Sequence, residues 1–259
     1  MKALILAAGR GRRLWPFTAD RPKCLLSIGP TSILEQQLRN LERIAVSQVA
    51  LVCGFGVDLI ARQLDAYCGP LRIKLLYNPF FDRADNLISM WLARPEMDGD
   101  FVLLNGDNVF HPDILPRLLA STGPCTLMAS HKASYDDDDM KLQLQGRQVR
   151  RIGKDLPLPT AVGESLGIMA FRGNGRRWIF AALEKAVRDQ SSMQRCYVDA
   201  LQMLIDQGRP VEICSAHDLP WADVDTPADL RMVRNQLSLY QASPPSPRPQ
   251  HYREVGEQL

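Results

Sequence analysis

Residues 2–29 read KALILAAGRGRRLWPFTADRPKCLLSIG. The apolar run from Ala3 to Ala8 has the length and continuity of a strand covered on both faces. It passes directly into two glycines, three arginines and then Pro22-Lys23. A buried strand ending in Gly9 and Gly11 brings backbone N–H groups to a sheet edge with no side chains in the way, an arrangement that suits phosphate oxygens. Two well-known phosphate loops do not fit. A dinucleotide fingerprint needs a third glycine, where this chain has Leu14. A G-x-x-x-x-G-K-[ST] loop is absent. What remains is either a basic turn without chemistry or a loop that holds a triphosphate.

Working outward, short apolar runs alternate with longer amphipathic ones. VALVCGF near residue 50, IKLLYN near 73, FVLLNGD near 101 and CTLMAS near 125 read as further strands. Between the first two strands, Ile33, Leu34, Leu38, Leu41 and Ile44 recur at helical spacing, and Ser32 with Glu35 matches a capping box. Strand, helix and strand in that order predict a right-handed crossover unit and a doubly wound, mainly parallel α/β sheet. MKLQLQGRQVRRIGK alternates around QGRQ and predicts a β-hairpin insertion. ESLGIMAF and PVEICSA read as late strands, NGRRWIFAALEKAVRD and YVDALQMLIDQG as helices. TPADLRMVRNQLSLYQ reads as a last helix, capped by Thr226 with Pro227 at its first position. No internal repeat is visible. One domain is expected over residues 1–242, followed by a Pro-rich, loosely held tail over 243–259.

Composition narrows the class. Of 259 residues, 46% are apolar and 23% charged, as in ordinary globular domains, and the net charge is only +2. So near a balance gives no argument for a nucleic-acid partner or an anionic membrane. The cysteines (Cys24, Cys53, Cys68, Cys125, Cys196, Cys214) are scattered without a C-x-x-C pair, which fits reduced thiols and a cytoplasmic location. No stretch approaches the roughly 20 apolar residues needed to cross a bilayer. Nothing in the sequence indicates an oligomeric state.

The opening segment closely resembles the signature of the sugar-phosphate and cholinephosphate nucleotidyltransferases, broadly L-x-A-G-x-G-x-R-L-x-P-x-T-x-x-x-P-K-x-L. The match runs through Leu6, Ala8, Gly9, Gly11, Arg13, Leu14, Pro16, Thr18, Pro22, Lys23 and Leu25. A lone G-x-G is weak, but eleven positions in register over twenty residues are specific. The resemblance implies a Rossmann-like nucleotidyltransferase fold with the hairpin near the acceptor site. Backbone groups from Leu6, Ala7, Ala8, Gly9 and Gly11, with Arg13, would hold the nucleotide, and Lys23 would sit at its α-phosphate. Arg10 and Arg12 match no fixed position and read as solvated, with Arg12 kept as a helper on the nucleotide side. Lys23, read as a solvent-facing loop lysine, is expected to hold little stability.

In the same family the Gly-Asp of FVLLNGDNVF, here Gly106-Asp107, supplies a Mg²⁺ ligand, and a second carboxylate comes from near the C-terminus. In WADVDTPADL, Asp223 matches by its spacing from Trp221, and Asp225 stands where many sugar-phosphate enzymes have glycine. Mg²⁺ takes one or two carboxylates plus phosphates and water, so Asp107 with Asp223, with Asp225, or with both suffices. Asp225 could instead cap the helix that begins at Thr226, and Asp107 alone could be a turn aspartate. No histidine is required, because a phosphate monoester is already ionised at neutral pH; His111, His131, His217 and His251 show no ligand spacing.

On the acceptor side, Lys154 stands in VRRIGKDL where the family has a phosphate-contacting lysine, and GESLGIMAF makes Glu164 and Gly167 candidates. In YNPFFDRADNLISMWLAR, Asn86 and Ser89 resemble the N-N-x-x-S segment of the CTP:phosphocholine branch, where an amide and a hydroxyl could read a cytosine edge. Phe80, Phe81, Trp91, Tyr197 and Trp221 are the aromatics available to a cationic head group, with Trp221 the acceptor-site candidate. Asp136 to Asp139 read as a solvated loop, with a cation trap as the weaker alternative. The implied activity is Mg²⁺-dependent transfer of a nucleotidyl group, CMP from CTP, to a small phosphate or phosphonate monoester, releasing pyrophosphate. Its rivals are a hexose-1-phosphate nucleotidyltransferase and a non-catalytic nucleotide sensor. Asn86 in place of glycine and the presence of Asp225 argue against the first. Arg13, Lys23, Asp107 and Asp223 together argue against the second.

Overall fold

The computed structural model describes residues 1–241; the tail expected over 243–259 lies outside them. The chain opens with β1 (Lys2–Ala7), α1 (Ile33–Glu42), β2 (Gln48–Cys53), α2 (Val57–Asp65) and β3 (Arg72–Tyr77). Here β1 pairs parallel to β2, and β2 to β3, as the crossover predicts. The capping box is present: the Ser32 hydroxyl accepts from the Glu35 N–H while the Glu35 carboxylate accepts from the Ser32 N–H. That satisfies two of the donors a helix start leaves open.

Next come α3 (Asn86–Leu92), β4 (Phe101–Asn105), β5 (Asn108–Phe110), α4 (Ile114–Leu119) and β6 (Cys125–Ser130). The predicted hairpin is β7 (Lys141–Gln145) and β8 (Gln148–Gly153), turning at Gly146 with φ 59°. The chain then forms β9 (Gly163–Phe171), α5 (Asn174–Ala186), α6 (Tyr197–Asp206), β10 (Glu212–Ser215), β11 (Trp221–Asp223) and α7 (Pro227–Asn235). Among the described residues the main sheet runs β3-β2-β1-β4-β9-β6-β10-β8-β7, and β5 with β11 forms a separate two-stranded ladder. The sheet is parallel from β3 to β4, but β9 enters between β4 and β6 antiparallel to both. A strand inserted this way needs no crossover helix from its neighbours.

Alternation along β1 explains why the sheet is covered twice. Leu4 and Leu6 point into a cluster with Leu87, Met90, Leu183 and Leu201 from α3, α5 and α6. Ala3, Ile5 and Ala7 point the other way, into Leu34, Leu38 and Leu41 of α1 and Leu115 of α4. A third cluster joins Leu14 and Ile28 to Val109, Val224, Leu230 and Val233. It packs the segment after β1 against β5 and α7, so the glycine-rich loop and the Asp107 and Asp223 segments rest on one apolar floor. Each buried Leu or Ile contributes roughly 1.5–3 kcal/mol.

Candidate active site

The site lies beyond the carboxyl ends of β1 and β4, where open α/β sheets take ligands. Leu6, Ala7 and Ala8 are buried wall, and the Ala8 carbonyl accepts from the Phe55 N–H. Gly9 has open space around it. Gly11 is left-handed (φ 64°), and an added Cβ would lie 3.1 Å from the Lys23 Cβ. The Thr18 hydroxyl donates to the Gly11 carbonyl at 2.9 Å, and Leu14 is fully buried. The loop is therefore pinned at both ends while its glycines stay bare. Gly106 packs directly on β1: its N–H donates to the Leu6 carbonyl, and a Cβ there would sit 2.6 Å from the Ala7 Cβ.

Lys23 is not solvent-facing. Its ammonium donates to Asp107 Oδ2 at 2.8 Å and to Asp225 Oδ1, with only 14% of the side chain exposed. Burial pulls its pKa down, but the Asp107 and Asp225 charges outweigh burial and hold it well above an ordinary lysine. Arg13 reaches Asp225 Oδ2 at 2.8 Å from the other side. Burial pushes the Asp225 carboxyl up, yet Lys23 and then Arg13 bring it below its usual range. Asp225 is thus an ion-pair partner of the two cations and not a helix cap. The cap of α7 is Thr226, in a capping box with Asp229.

Asp107 and Asp223 are brought together by the short ladder in which Asn108 pairs with Asp223, reinforced by the Val224 N–H donating to the Asp107 carbonyl. Desolvation first, then the Asp107 and Asp225 charges, push the Asp223 carboxyl well above its ordinary value. Asp107 Oδ1 is buried and has no hydrogen-bond partner among the described residues. An orphaned carboxylate oxygen beside a second, proton-hungry carboxylate fits a divalent cation. Among the described residues no three His, Cys, Asp or Glu side chains converge on one ion position. Two protein ligands, with phosphates and water completing the shell, are what Mg²⁺ accepts.

Beside this constellation a cavity of about 890 Å³ is lined by Arg13, Asn86, Asp107, Lys154, Glu164, Gly167, Trp221, Asp223 and Asp225. Gly9, Gly11 and Lys23 sit outside that lining. Arg12 turns away to Asp82, as does Arg10, which also stacks on Phe55 and Phe81. Ser89 needs correction: it is buried, and its hydroxyl accepts from Asn78 Nδ2 at 3.0 Å, so it cannot read a base from there. Asn86 does face the cavity, its Oδ1 accepting from the Tyr197 N–H at 2.9 Å. Gly167 is left-handed (φ 69°) at a register shift between β6 and β9. A Cβ there would strike Asn105 Nδ2 at 2.2 Å, and Asn105 Oδ1 accepts from the Tyr197 hydroxyl. Of the aromatics, Tyr197 and Trp221 line the cavity; Phe80, Phe81 and Trp91 do not.

The acidic run is exposed at Asp136, Asp137 and Asp138, as expected of a solvated loop, but it is also a built turn. The fully buried Lys141 donates its ammonium to the Asp136 carbonyl at 2.7 Å. Asp136 Oδ1 accepts from the N–H groups of Asp138 and Asp139. Lys132 binds Asp139 at 2.7 Å and Glu164 at 3.0 Å. Burial, opposed by Lys132, leaves the Glu164 carboxyl pushed up to about 7. The turn presents Asp138 to Arg13 and, at 3.0 Å, to Lys154. Lys132, Asn105, Asn108 and Asp138 escaped sequence reading. The two asparagines had a signal, since they flank Gly106-Asp107, whereas Asp138 meets Arg13 from 125 residues away and had none.

The chain is similar in sequence to curated nucleotidyltransferases. The chain is 28% identical over 92% of its length to a CMP-5'-(3-aminopropyl)phosphonate synthase of Streptomyces rubellomurinus, but spans only 39% of that protein. It is 23% identical over 90% of its length to a CTP:phosphoglutamine cytidylyltransferase of Campylobacter jejuni, of which 98% is covered. In fold it resembles the inositol-1-phosphate CTP transferase from T. maritima, with a TM-score of 0.78 at 22% identity over 92% of this chain and 95% of that one. No helix among the described residues is long and apolar enough to cross a membrane. The model of the MobA-like NTP transferase domain matches residues 3–208, and with that match over most of its length the chain belongs to this family of nucleotidyltransferases.

Proposed function

We propose that the chain transfers a nucleotidyl group, CMP from CTP, to a small phosphate or phosphonate monoester and releases pyrophosphate. The observation that carries this reading is the Lys23 ammonium beside Asp107, Asp225 and Arg13 at the end of β1. An acceptor oxygen forms a bond to the α-phosphorus while the bond to the β-phosphate oxygen breaks. The acceptor is already ionised, so no proton need be removed. Catalysis then rests on positioning and on positive charge where the transition state is most anionic. Arg13 and the bare amides of Gly9 and Gly11 suit the triphosphate, Lys23 the α-phosphate, and Lys154 the acceptor phosphate. Asp107 and Asp223 are the residues that would hold Mg²⁺, which when bound supplies charge shared by the two reacting phosphates.

Cytidine as the base, and a small acceptor, are supported by the relatives, whose names join CMP or CTP to an aminopropylphosphonate, phosphoglutamine or inositol 1-phosphate. The test is pyrophosphate release with Mg²⁺ across four nucleoside triphosphates and a panel of phosphocholine, aminoalkylphosphonates, inositol 1-phosphate and hexose 1-phosphates. Release with CTP and a small acceptor is expected. Release only with a hexose 1-phosphate and UTP or dTTP would replace the substrates. Nucleotide binding with no release for any pair would turn the reading toward a sensor.

A further inference from the structure

Two buried amides lie behind the carboxylates, and neither is used by the chemistry above. Asp107 sits in the two-residue connection Gly106-Asp107 between β4 and β5. Gln37, on α1 and fully buried, donates both amide hydrogens into that connection, to the Asn105 carbonyl at 2.8 Å and the Asn108 carbonyl at 2.9 Å. One rigid group therefore fixes the two ends of the turn that carries Asp107. Asn108, also fully buried, continues the chain: its Nδ2 donates to Asp223 Oδ1, while its backbone pairs with Asp223 in the ladder. Gln36 and Asn40 of the same helix add two donors to the Phe110 carbonyl at the far end of β5, at 2.7 and 3.0 Å.

Such burial is costly, and here it is incompletely compensated. Gln37 Oε1 and Asn108 Oδ1 have no hydrogen-bond partner among the described residues. An unpaired buried acceptor carries its desolvation cost with nothing to offset it. The donors of these amides are used and the acceptors are not, so what the arrangement gains is the placement of the groups that accept. Those are the carbonyls on either side of Asp107 and the carboxylate of Asp223.

We infer that Gln37 and Asn108 are positioning residues that set the separation and orientation of Asp107 and Asp223 for a divalent cation. The inference rests on the functional reading above and extends it to α1, none of whose residues lines the cavity. Partners one step behind a metal ligand typically change metal affinity about 10–100-fold when removed.

The experiment uses Gln37→Met, which keeps length and helix propensity but donates nothing, and Asn108→Ala, which frees Asp223. In the whole chain, Mn²⁺ affinity is read by electron paramagnetic resonance in the presence of a non-hydrolysable CTP analogue, alongside the Mg²⁺ dependence of pyrophosphate release. Both variants should weaken Mn²⁺ about tenfold or more and raise the half-saturating Mg²⁺ in step. Binding of the analogue without divalent ion should stay within about twofold, because Arg13 and the glycine-rich loop are untouched. A merely structural role would lower the melting temperature and leave the Mg²⁺ dependence of the folded fraction as in the parent. That result, in either folded variant, overturns the inference. If Gln37→Met fails to fold, Asn108→Ala decides alone. A parent chain that binds neither Mn²⁺ nor the analogue overturns the functional reading, and this inference falls with it.

Discussion

The glycine-rich loop and the acidic turn Asp136–Asp139 face each other through Arg13, and they owe their shapes to different causes. The loop is shaped from within about twenty residues: a buried strand before it, a left-handed Gly11, and Leu14 anchored in the floor. The turn is shaped by charge, by Lys141 beneath it, Lys132 beside it and Lys154 across the cleft, all near it in the chain, and only its contact with Arg13 comes from afar. One region presents bare donors, the other a carboxylate that already occupies two of the cations a phosphate would seek. The lesson is that a site for anions can be built complete and still hold an internal anion in its place.

The sharpest way to break the comparison is at Lys23, which belongs to the loop side and touches neither Asp138 nor the turn. Lys23→Ala should lower kcat by at least about 10²–10³, the cost of removing one preorganised donor from developing charge. It should also lower stability by about 1–3 kcal/mol, because Asp107 and Asp225 are left facing each other without their shared cation. Single-turnover rates and thermal melts check both. Turnover near that of the parent would remove Lys23 from the chemistry. Asp107→Asn comes next: pyrophosphate release should fall about 10²-fold or more, and a chelator should abolish what the parent chain shows. Activity that survives in the variant and in chelator alike would mean the carboxylates hold no metal during turnover.

How much of this was legible follows the same division. β1, α1 and β2 could be read because period and caps are local properties, and the Ser32–Glu35 box formed as written. Asp107 and Asp223 could be paired because each sits in a short recognisable segment. Ser89 was misread because spacing on a helix gives a face, not a neighbour, and here the neighbour is Asn78. Sequence alone gives Asp225 two roles, and its ion pairs with Lys23 and Arg13 are visible only in the folded chain. The run of four aspartates looks solvated to any composition rule, and only a fold that carries Arg13 and Lys154 to it gives it another use. The antiparallel entry of β9 was equally hidden, since its continuous apolar pattern is the same for either direction.

Asp138→Asn sharpens the comparison with a smaller, opposite effect. Removing the internal anion should lower KM for the nucleotide and for the acceptor phosphate about three- to tenfold, with kcat within about twofold. The sign follows from Arg13 and Lys154 no longer being paired in the empty cleft. The range is modest because both cations are half exposed, where an ion pair is worth about 0–1 kcal/mol. A rise in KM would mean that Asp138 helps to bind substrate and does not compete with it.

The gentlest probe is pH, through Glu164 at the root of the turn. Its carboxyl is raised from 4.5 to about 7, chiefly by burial, with Lys132 opposing. The folded chain therefore holds this proton more tightly than the unfolded chain does. Stability from it is fully present below about 4.5 and is lost as pH rises toward 7. The loss amounts to at most about 3 kcal/mol at 1.36 kcal/mol per pKa unit. In Glu164→Gln that slope should flatten, so that the variant gains on the parent in thermal melts between pH 5 and 7.5. Asp223 is raised mainly by burial but in part by the Glu164 charge, so its own shift eases in the variant and acts in the same direction. Parallel melting curves would mean that Lys132 already neutralises Glu164. In that case the Lys132–Asp139 pair would hold the turn against β9 at every pH in that range.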